Sequence, residues 1–299
     1  MKFNPTKSSS STQDLSLSKN QLQKYLETGL AAVSIGQKCL VKYFGHVKNV
    51  ELKSKSNYVS LADRECEDII LKFLKEKNPE VDFLGEETHF TKSSKKLRNK
   101  NQFAAATGFR WILDPLDGTT NFIHGLPLFC ISLALEFKCE IVVGIIHVPQ
   151  LSQTFTAIVG QGAYLNGQLN GQKLSVSKKT ELKNAFVVSG FVNQSKNILA
   201  KQLKIFNKAV WQMDAVRRTG SAAYDLALVS QGVFDFYWEE NIKPWDIAAG
   251  ILLVKEAGGI VCDYSGKPVS VFTKQLIAGN PKLAKKFTKF TKTYAKFRD

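Results

Sequence analysis

The residues with the clearest capacity for chemistry lie in the string Asp114-Pro115-Leu116-Asp117-Gly118-Thr119-Thr120-Asn121-Phe122. Two aspartates three apart follow the apolar run Trp111-Ile112-Leu113, so a buried strand ends in a pair of carboxylates. Pro115 restricts the backbone between them and removes an N–H donor. Gly118 permits close backbone approach. The amides of Gly118, Thr119 and Thr120 can then face an anion, above all if they open a helix. One short segment can therefore hold a cation on its carboxylates and a phosphate on its amides. An oxygen donor set without His or Cys favours Mg²⁺, which takes few carboxylates and completes its shell with water and substrate phosphate. Taken alone, the same string is also that of a β-turn. Further acids stand at similar junctions. Glu86 and Glu87 follow the run Val81–Leu84, and Asp246 follows Pro244-Trp245 at the head of an apolar helix. A first-turn aspartate is equally what helix capping and the helix dipole favour.

Hydrophobic periodicity places these residues on elements. Gln21 to about Phe44 repeats near the helical period and stops at Gly45; Leu61–Lys77 does the same, with Ile69, Ile70, Phe73 and Leu74 on its apolar side. Val50–Ser60 is polar and reads as a loop. Cys130–Phe137, Ile141–Val148, Gln153–Val159 and Gly162–Leu165 read as strands of an antiparallel sheet with tight turns at Asn166-Gly167 and Asn170-Gly171. Beyond Leu182 strands and helices alternate: strands at Phe186–Val188, Val233–Trp238, Ile260–Tyr264 and Leu276–Ala278, helices at Lys196–Ala209, Ser221–Ser230 and Trp245–Glu256. The pattern predicts layered α/β architecture. It divides into a disordered tail over 1–18, an α+β half over 19–185 carrying the acidic motifs, an α/β half over 186–281, and a basic tail or helix over 282–299.

Composition removes several classes. The chain has 299 residues, 44% hydrophobic and 22% charged, within the ordinary globular range and long enough for a substantial core. Its longest apolar runs, such as Ile141–Ile146, fall far short of the ~20 residues that cross a bilayer. No apolar leader stands at the N-terminus, and the five scattered cysteines form no CxxC pair. These features predict a cytoplasmic protein whose cysteines are small buried hydrophobes. The four histidines have no metal-ligand spacing, which argues against zinc. The net charge of +15 resides mostly in Thr91–Lys100 and Lys282–Asp299. Both read as solvated segments, with a polyanion contact as the alternative.

Gly85-Glu86-Glu87, the stretch from Trp111 to Pro127 (WILDPLDGTTNFIHGLP) and that from Trp245 to Gly250 (WDIAAG) resemble the three signatures of the inositol monophosphatase family, Mg²⁺-dependent and lithium-sensitive phosphatases. The resemblance runs from about Gln21 to Gly279. It implies an αβαβα sandwich, a homodimer and two or three Mg²⁺ per site. Glu86 would be a metal ligand that orients the attacking water, with Thr119 as its partner. Asp114 would bridge two metals, the Leu116 carbonyl would bind the first, and Asp117 and Asp246 would hold the second. The Gly118, Thr119 and Thr120 segment would take the phosphate. Gly220, Ser221 and Ala222 would line the sugar site, near Asp246, and Glu239 would accept a substrate hydroxyl. Lys53 and Asp63 would lie near a third metal, with Glu87 a further candidate. Asn57 and Ser60 depart from the usual Asp and Thr, which bears on that third site. The implied reaction is hydrolysis of myo-inositol monophosphate by metal-activated water. Histidinol phosphate, a sugar phosphate, 3′-phosphoadenosine 5′-phosphate and fructose 1,6-bisphosphate remain alternatives, as does an RNA- or transcription-machinery-binding role.

Overall fold

The first helical period begins at Ser18, whose hydroxyl accepts from the Gln21 amide at 3.2 Å and caps helix α1 (Lys19–Tyr43). The computed structural model describes residues 17–46, 51–54, 57–59, 61–91, 108–167, 171–191 and 195–294. The serine-rich start, the basic cluster Lys92–Lys100 and the last five residues lie outside that description.

After α1 the chain forms strands β1 (Glu51–Ser54) and β2 (Asn57–Val59), helix α2 (Leu61–Lys77), strand β3 (Asp82–Gly85) and helix α3 (Glu86–Thr91). Strand β4 (Phe109–Asp117) leads into the short helix α4 (Thr119–Ile123). Strands β5 (Cys130–Phe137), β6 (Glu140–Val148), β7 (Gln153–Ile158), β8 (Gly162–Leu165) and β9 (Gln172–Lys173) complete a seven-stranded sheet in the order β3 to β9. It is an antiparallel meander except where β3 runs parallel to β4. The second half holds β10 (Phe186–Ser189), α5 (Lys196–Gln212), β11 (Ala215–Arg217), α6 (Ala222–Ser230), β12 (Phe236–Glu240), α7 (Pro244–Glu256), β13 (Ile260–Cys262), β14 (Gln275–Gly279) and α8 (Pro281–Thr291). Its five strands are ordered β11-β10-β12-β14-β13.

Side-chain alternation along the strands sets the layers. Trp111 and Leu113 of β4, with Ile131, Leu133 and Ile145, face Leu26, Val33 and Leu40 of α1 and Ile70 and Leu74 of α2. Ile112 points the other way, with Ala134 and Ile146, into a core made by α6 and α7. Those two helices are apolar nearly all round, as helices buried on every side must be. Their far face meets Val188, Tyr237, Leu276 and Ala278 of the five-stranded sheet. The outer face of that sheet, with Val187, Phe236, Trp238 and Ile277, is covered by Ile205 and Ala209 of α5 and by Leu283 and Phe287 of α8. The stack is the expected αβαβα sandwich.

The structure changes or completes the sequence reading at four points. The polar stretch read as a loop contains the antiparallel hairpin β1–β2, which among the described residues pairs only with itself and shows no apolar alternation in sequence. Strand β11, three residues long, was too short to register as a period. Of the two forms expected for the basic C-terminal segment, tail or helix, residues 281–291 take the helix, because Asn280 Oδ1 accepts from the Lys282 and Leu283 amides at 2.9 and 3.2 Å. Cys139 is exposed, whereas Cys39, Cys66, Cys130 and Cys262 are buried. It shares a two-residue hairpin turn with Lys138, both at positive φ (69° and 50°).

Within the first sheet Arg110 on β4 stands directly opposite Glu136 on β5. Their side chains form an ion pair and are each 5% exposed. Removing one member leaves an unmatched charge out of water. We expect Arg110→Met to lower the unfolding free energy by about 3–5 kcal/mol, and Arg110→Met with Glu136→Leu to recover most of that loss. Denaturant titration of the two variants checks this; equal destabilisation of single and double variants would contradict it.

Candidate active site

Asp114 and Asp117 are three residues apart, and in a regular strand they would face opposite sides. Strand β4 avoids this with an irregularity. Asp114 pairs with Ser132 and Asp117 with Cys130, so three steps on β4 match two on β5. The extra residue re-aims the strand end. The Asp-Pro-Leu-Asp string is thus the bulged end of a strand and not a free turn. Gly118 follows at φ 95° as the N-terminal cap of α4, and a Cβ there would lie 2.9 Å from the Leu128 carbonyl oxygen. Thr119 and Thr120 open α4 as expected.

Each aspartate is held by a different element. Asp114 is 2% exposed and accepts from the Leu116 amide at 3.0 Å. Asp117 Oδ2 accepts from the Ser221 hydroxyl and the Ala223 amide, both at 2.7 Å. Ser221 is itself the cap of α6, accepting from Tyr224 N at 3.4 Å. Asp246 sits in the first turn of α7 and takes the Lys243 amide at 2.7 Å. It therefore caps its helix while also facing the other acids.

These carboxyls share one electrostatic problem. Burial raises the pKa of Asp114 well above the usual carboxylate range, and Glu86, Asp117 and Asp246 raise it further. Burial likewise raises Asp246, reinforced by Asp117 and Glu86. Asp117 is also raised by burial, although the donors from Ser221 and α6 pull it back. Among the described residues, no three carboxylate, imidazole or thiol groups stand close enough together to ligate one ion as they are placed. Asp117 and Asp246 are drawn instead to backbone and hydroxyl donors. The donor chemistry nonetheless fits a hard divalent cation: all the donors are oxygens, and they repel one another unless a positive charge is supplied.

Glu86 and Glu87 begin α3, immediately after β3. Their position depends on Glu67, which sequence reasoning passed over. Glu67 is 1% exposed and accepts from the Glu87 and Thr88 amides at 2.9 and 2.6 Å and from the Thr88 hydroxyl. An acid between Cys66 and Ile70 on the apolar face of α2 was the available signal. Asp63, one turn earlier and 2% exposed, lies 3.0 Å from the Thr119 hydroxyl. That hydroxyl is also 3.0 Å from the Leu116 carbonyl. The Thr119 contacts seen are thus to Asp63 and Leu116. Lys53 falls in β1, where only the backbone is described.

A cleft of about 150 Å³ brings together Asp117, Asp246, Gly220, Ser221, Ala222 and Glu239. Asn121 ties its two sides, donating to the Leu128 carbonyl at 2.6 Å and to the Thr219 carbonyl at 2.9 Å. Burial pushes the Glu239 carboxyl up to about 7; the Tyr237 hydroxyl at 2.6 Å lowers it, Asp117 raises it and Arg218 lowers it. Asp225, also in the lining, accepts from the Thr219 hydroxyl at 2.5 Å. Tyr237 and Asp225 carried no motif signal of their own, while Asn121 stands within the acidic motif and Arg218 near Gly220 without a role having been assigned to either.

Comparison with known proteins agrees with this architecture. The model of the inositol monophosphatase family matches residues 21–295. A protein of Aquifex aeolicus named fructose-1,6-bisphosphatase/inositol-1-monophosphatase is 36% identical over 268 residues, covering 88% of this chain and 93% of the relative. A Pseudomonas aeruginosa protein named Nus factor SuhB is 37% identical over 241 residues, covering 80% and 84%. The crystal structure of extragenic suppressor protein suhB from Bartonella henselae superposes with a TM-score of 0.79 at 36% identity, covering 90% of this chain and 98% of that one. The chain belongs to the inositol monophosphatase family, and with it to the metal-dependent phosphoric monoester hydrolases.

Proposed function

We propose that this protein hydrolyses phosphate monoesters of small polyols, with myo-inositol 1-phosphate as the leading substrate, in a Mg²⁺-dependent and Li⁺-inhibited reaction. The observation that carries this reading is the set of mutually repelling acids Asp114, Asp117 and Asp246, of which Asp117 and Asp246 line one cleft together with Glu239. Glu86, Asp114 and the Leu116 carbonyl would hold one cation, and Asp117 and Asp246 a second, with Asp63 and Lys53 near a third. Bound cations supply neutralisation of the phosphate oxygens and a water of lowered pKa.

The chain's own groups do the rest. The Gly118, Thr119 and Thr120 amides receive the phosphate. The Thr119 hydroxyl donates to Asp63 or to the Leu116 carbonyl, which leaves its oxygen to accept from the attacking water. Glu86 takes that water's proton. Ser221 keeps Asp117 in place. Glu239 accepts a hydroxyl of the alcohol, with Gly220 and Ala222 shaping its seat. The two halves, meeting near residue 185, close on the substrate from either side. A homodimer in the cytoplasm is the assembly we assign; among the described residues no helix is long and apolar enough to cross a membrane.

The test is phosphate release from inositol 1-phosphate, histidinol phosphate and 3′-phosphoadenosine 5′-phosphate, with and without Mg²⁺ and Li⁺. We expect Mg²⁺-dependent, Li⁺-inhibited release, fastest from inositol 1-phosphate; no release from any ester would overturn the reading. Asp114→Asn should show no turnover yet melt no lower than the metal-free parent, since it removes one repelling charge.

Glu239 supplies a pH signature. Its carboxyl accepts the substrate hydroxyl most strongly when ionised, and burial pushes its pKa up to about 7. KM should therefore rise as pH falls from about 8 to about 6. Glu239→Gln should raise KM at high pH and erase that dependence. A Glu239→Gln profile that keeps the inflection would assign it to another group.

A second reading, a nucleic-acid contact, rests on α8, where Lys282, Lys285 and Lys289 are exposed at helical spacing, and on the relative named a Nus factor. Salt-sensitive RNA retention that disappears on changing these lysines to Gln is the expected outcome. Retention unaffected by the changes would remove α8 from consideration.

A further inference from the structure

Helices α5 and α8 both cover the outer face of the five-stranded sheet, and their inward sides fill its core with Ile205, Ala209, Leu283 and Phe287. The outward side of α5 carries Leu203, Val210 and Trp211, all exposed, with Trp211 at 82%. Val210 and Trp211 follow Leu203 by two helical turns, so the three share one side of the helix. Single exposed apolar residues are ordinary, but three on one helical face make a patch. At that exposure the Trp211 ring stands proud of the surface and lines no groove.

The same face is strongly cationic. Helix α5 carries four lysines and α8 four, and neither carries an acid. Glu240 answers Lys201 and Glu181 answers Lys286. Lys204, Lys208, Lys282, Lys285 and Lys289 are exposed and form no ion pair among the described residues. Helical geometry puts Lys204 and Lys208 on one flank of Trp211, with Leu203 and Val210 on the other. The lysine flank turns toward the end of α8: Lys208 Nζ lies 5.9 Å from the Tyr294 ring centroid, and Lys201 donates to the Tyr294 carbonyl at 3.3 Å. The two helices thus present one cationic surface with an apolar ridge along its far side.

Charge and shape together select the occupant. Two copies of so cationic a surface would repel each other. A nucleic acid would engage the lysines but leave Leu203 and Val210 in water. An anionic bilayer engages both. Its headgroups attract the lysines, its acyl boundary receives the aliphatic side chains, and its headgroup level suits an indole ring. A bilayer is also deformable, which a projecting ridge requires.

We propose that the outer face of α5 and α8 docks this protein peripherally on a bilayer surface rich in anionic phospholipid, with Trp211 as the inserted anchor. The docking uses no cleft residue and does not depend on the phosphatase reading.

Trp111, Trp238 and Trp245 are buried, so a change in tryptophan emission on adding lipid reports Trp211. The full-length protein is sedimented with vesicles of phosphatidylcholine alone, and of phosphatidylcholine with about a third phosphatidylglycerol. The wild type should sediment with the second only, its emission should shift to the blue, and added salt should release it. Lys204→Gln, Lys208→Gln, Lys285→Gln and Lys289→Gln combined should lower partitioning by about fivefold for each lysine. Trp211→Ser should lower it at least about tenfold and abolish the emission shift. Melting temperatures equal to that of the wild type confirm that both variants fold. No sedimentation with anionic vesicles, or sedimentation indifferent to both variants, would overturn the assignment. RNA retention without vesicle binding, lost with the lysines and indifferent to Trp211→Ser, would also overturn it and give the surface to a nucleic acid. Protection of Trp211 from iodide quenching in the lipid-free protein would overturn it in favour of a second copy of the chain.

Discussion

Asp114, Asp117 and Asp246 lie within one another's fields and largely out of bulk water, so each binds its proton more firmly than it would in solution. Such a grouping opposes folding in the absence of a counter-charge. It persists because each member is held by a separate rigid element: Asp114 by the bulged end of β4, Asp117 by the first turn of α6, Asp246 by the first turn of α7. Backbone N–H groups at helix starts are suited to this, since they stabilise carboxylates without adding further charge. Local destabilisation of this kind is characteristic of functional sites.

The layer order follows from the same need. Helices α6 and α7 lie between the two sheets, apolar on nearly every side, and their N-termini carry Ser221 and Asp246 to the cleft. The second half of the chain thereby supports a carboxylate that belongs to the first. Asn121 makes the link reciprocal by reaching from α4 to the Thr219 carbonyl. From the buried face of α2, Glu67 gathers the amides that open α3 and so fixes where Glu86 begins. In the reaction proposed above, the first half of the cleft would handle phosphate and cation, and the parallel strand ends β10, β11 and β12 would handle the alcohol.

Much of this was legible in the residues themselves. The helix over Leu61–Lys77 and the strand over Cys130–Phe137 have the bounds that periodicity predicts, because each has one unbroken apolar face. The acidic motifs also stand out, since Asp-Pro-Leu-Asp-Gly after a buried strand is chemically unusual. The hairpin β1–β2 and strand β11 were not legible, being too short or too polar to carry a period. Glu67, Tyr237 and Asp225 escaped notice because an isolated polar residue in an apolar element has no motif; only its partner gives it meaning.

The amino-acid sequence by itself determined the identity of the acids, the apolar faces and the layered α/β class, because these depend on local composition and spacing; the αβαβα order was implied by the family resemblance. Only the tertiary structure decided which groups meet. It turned Asp114 and Asp117 to one side through a bulge, and assigned the Thr119 hydroxyl to Asp63. It also placed Arg218 over Phe191 beside Glu239. Thr119 and Asp63, and likewise Arg218, Phe191 and Glu239, are separated by tens of positions along the chain, and their meeting is set by strand register and helix packing, which no local pattern encodes.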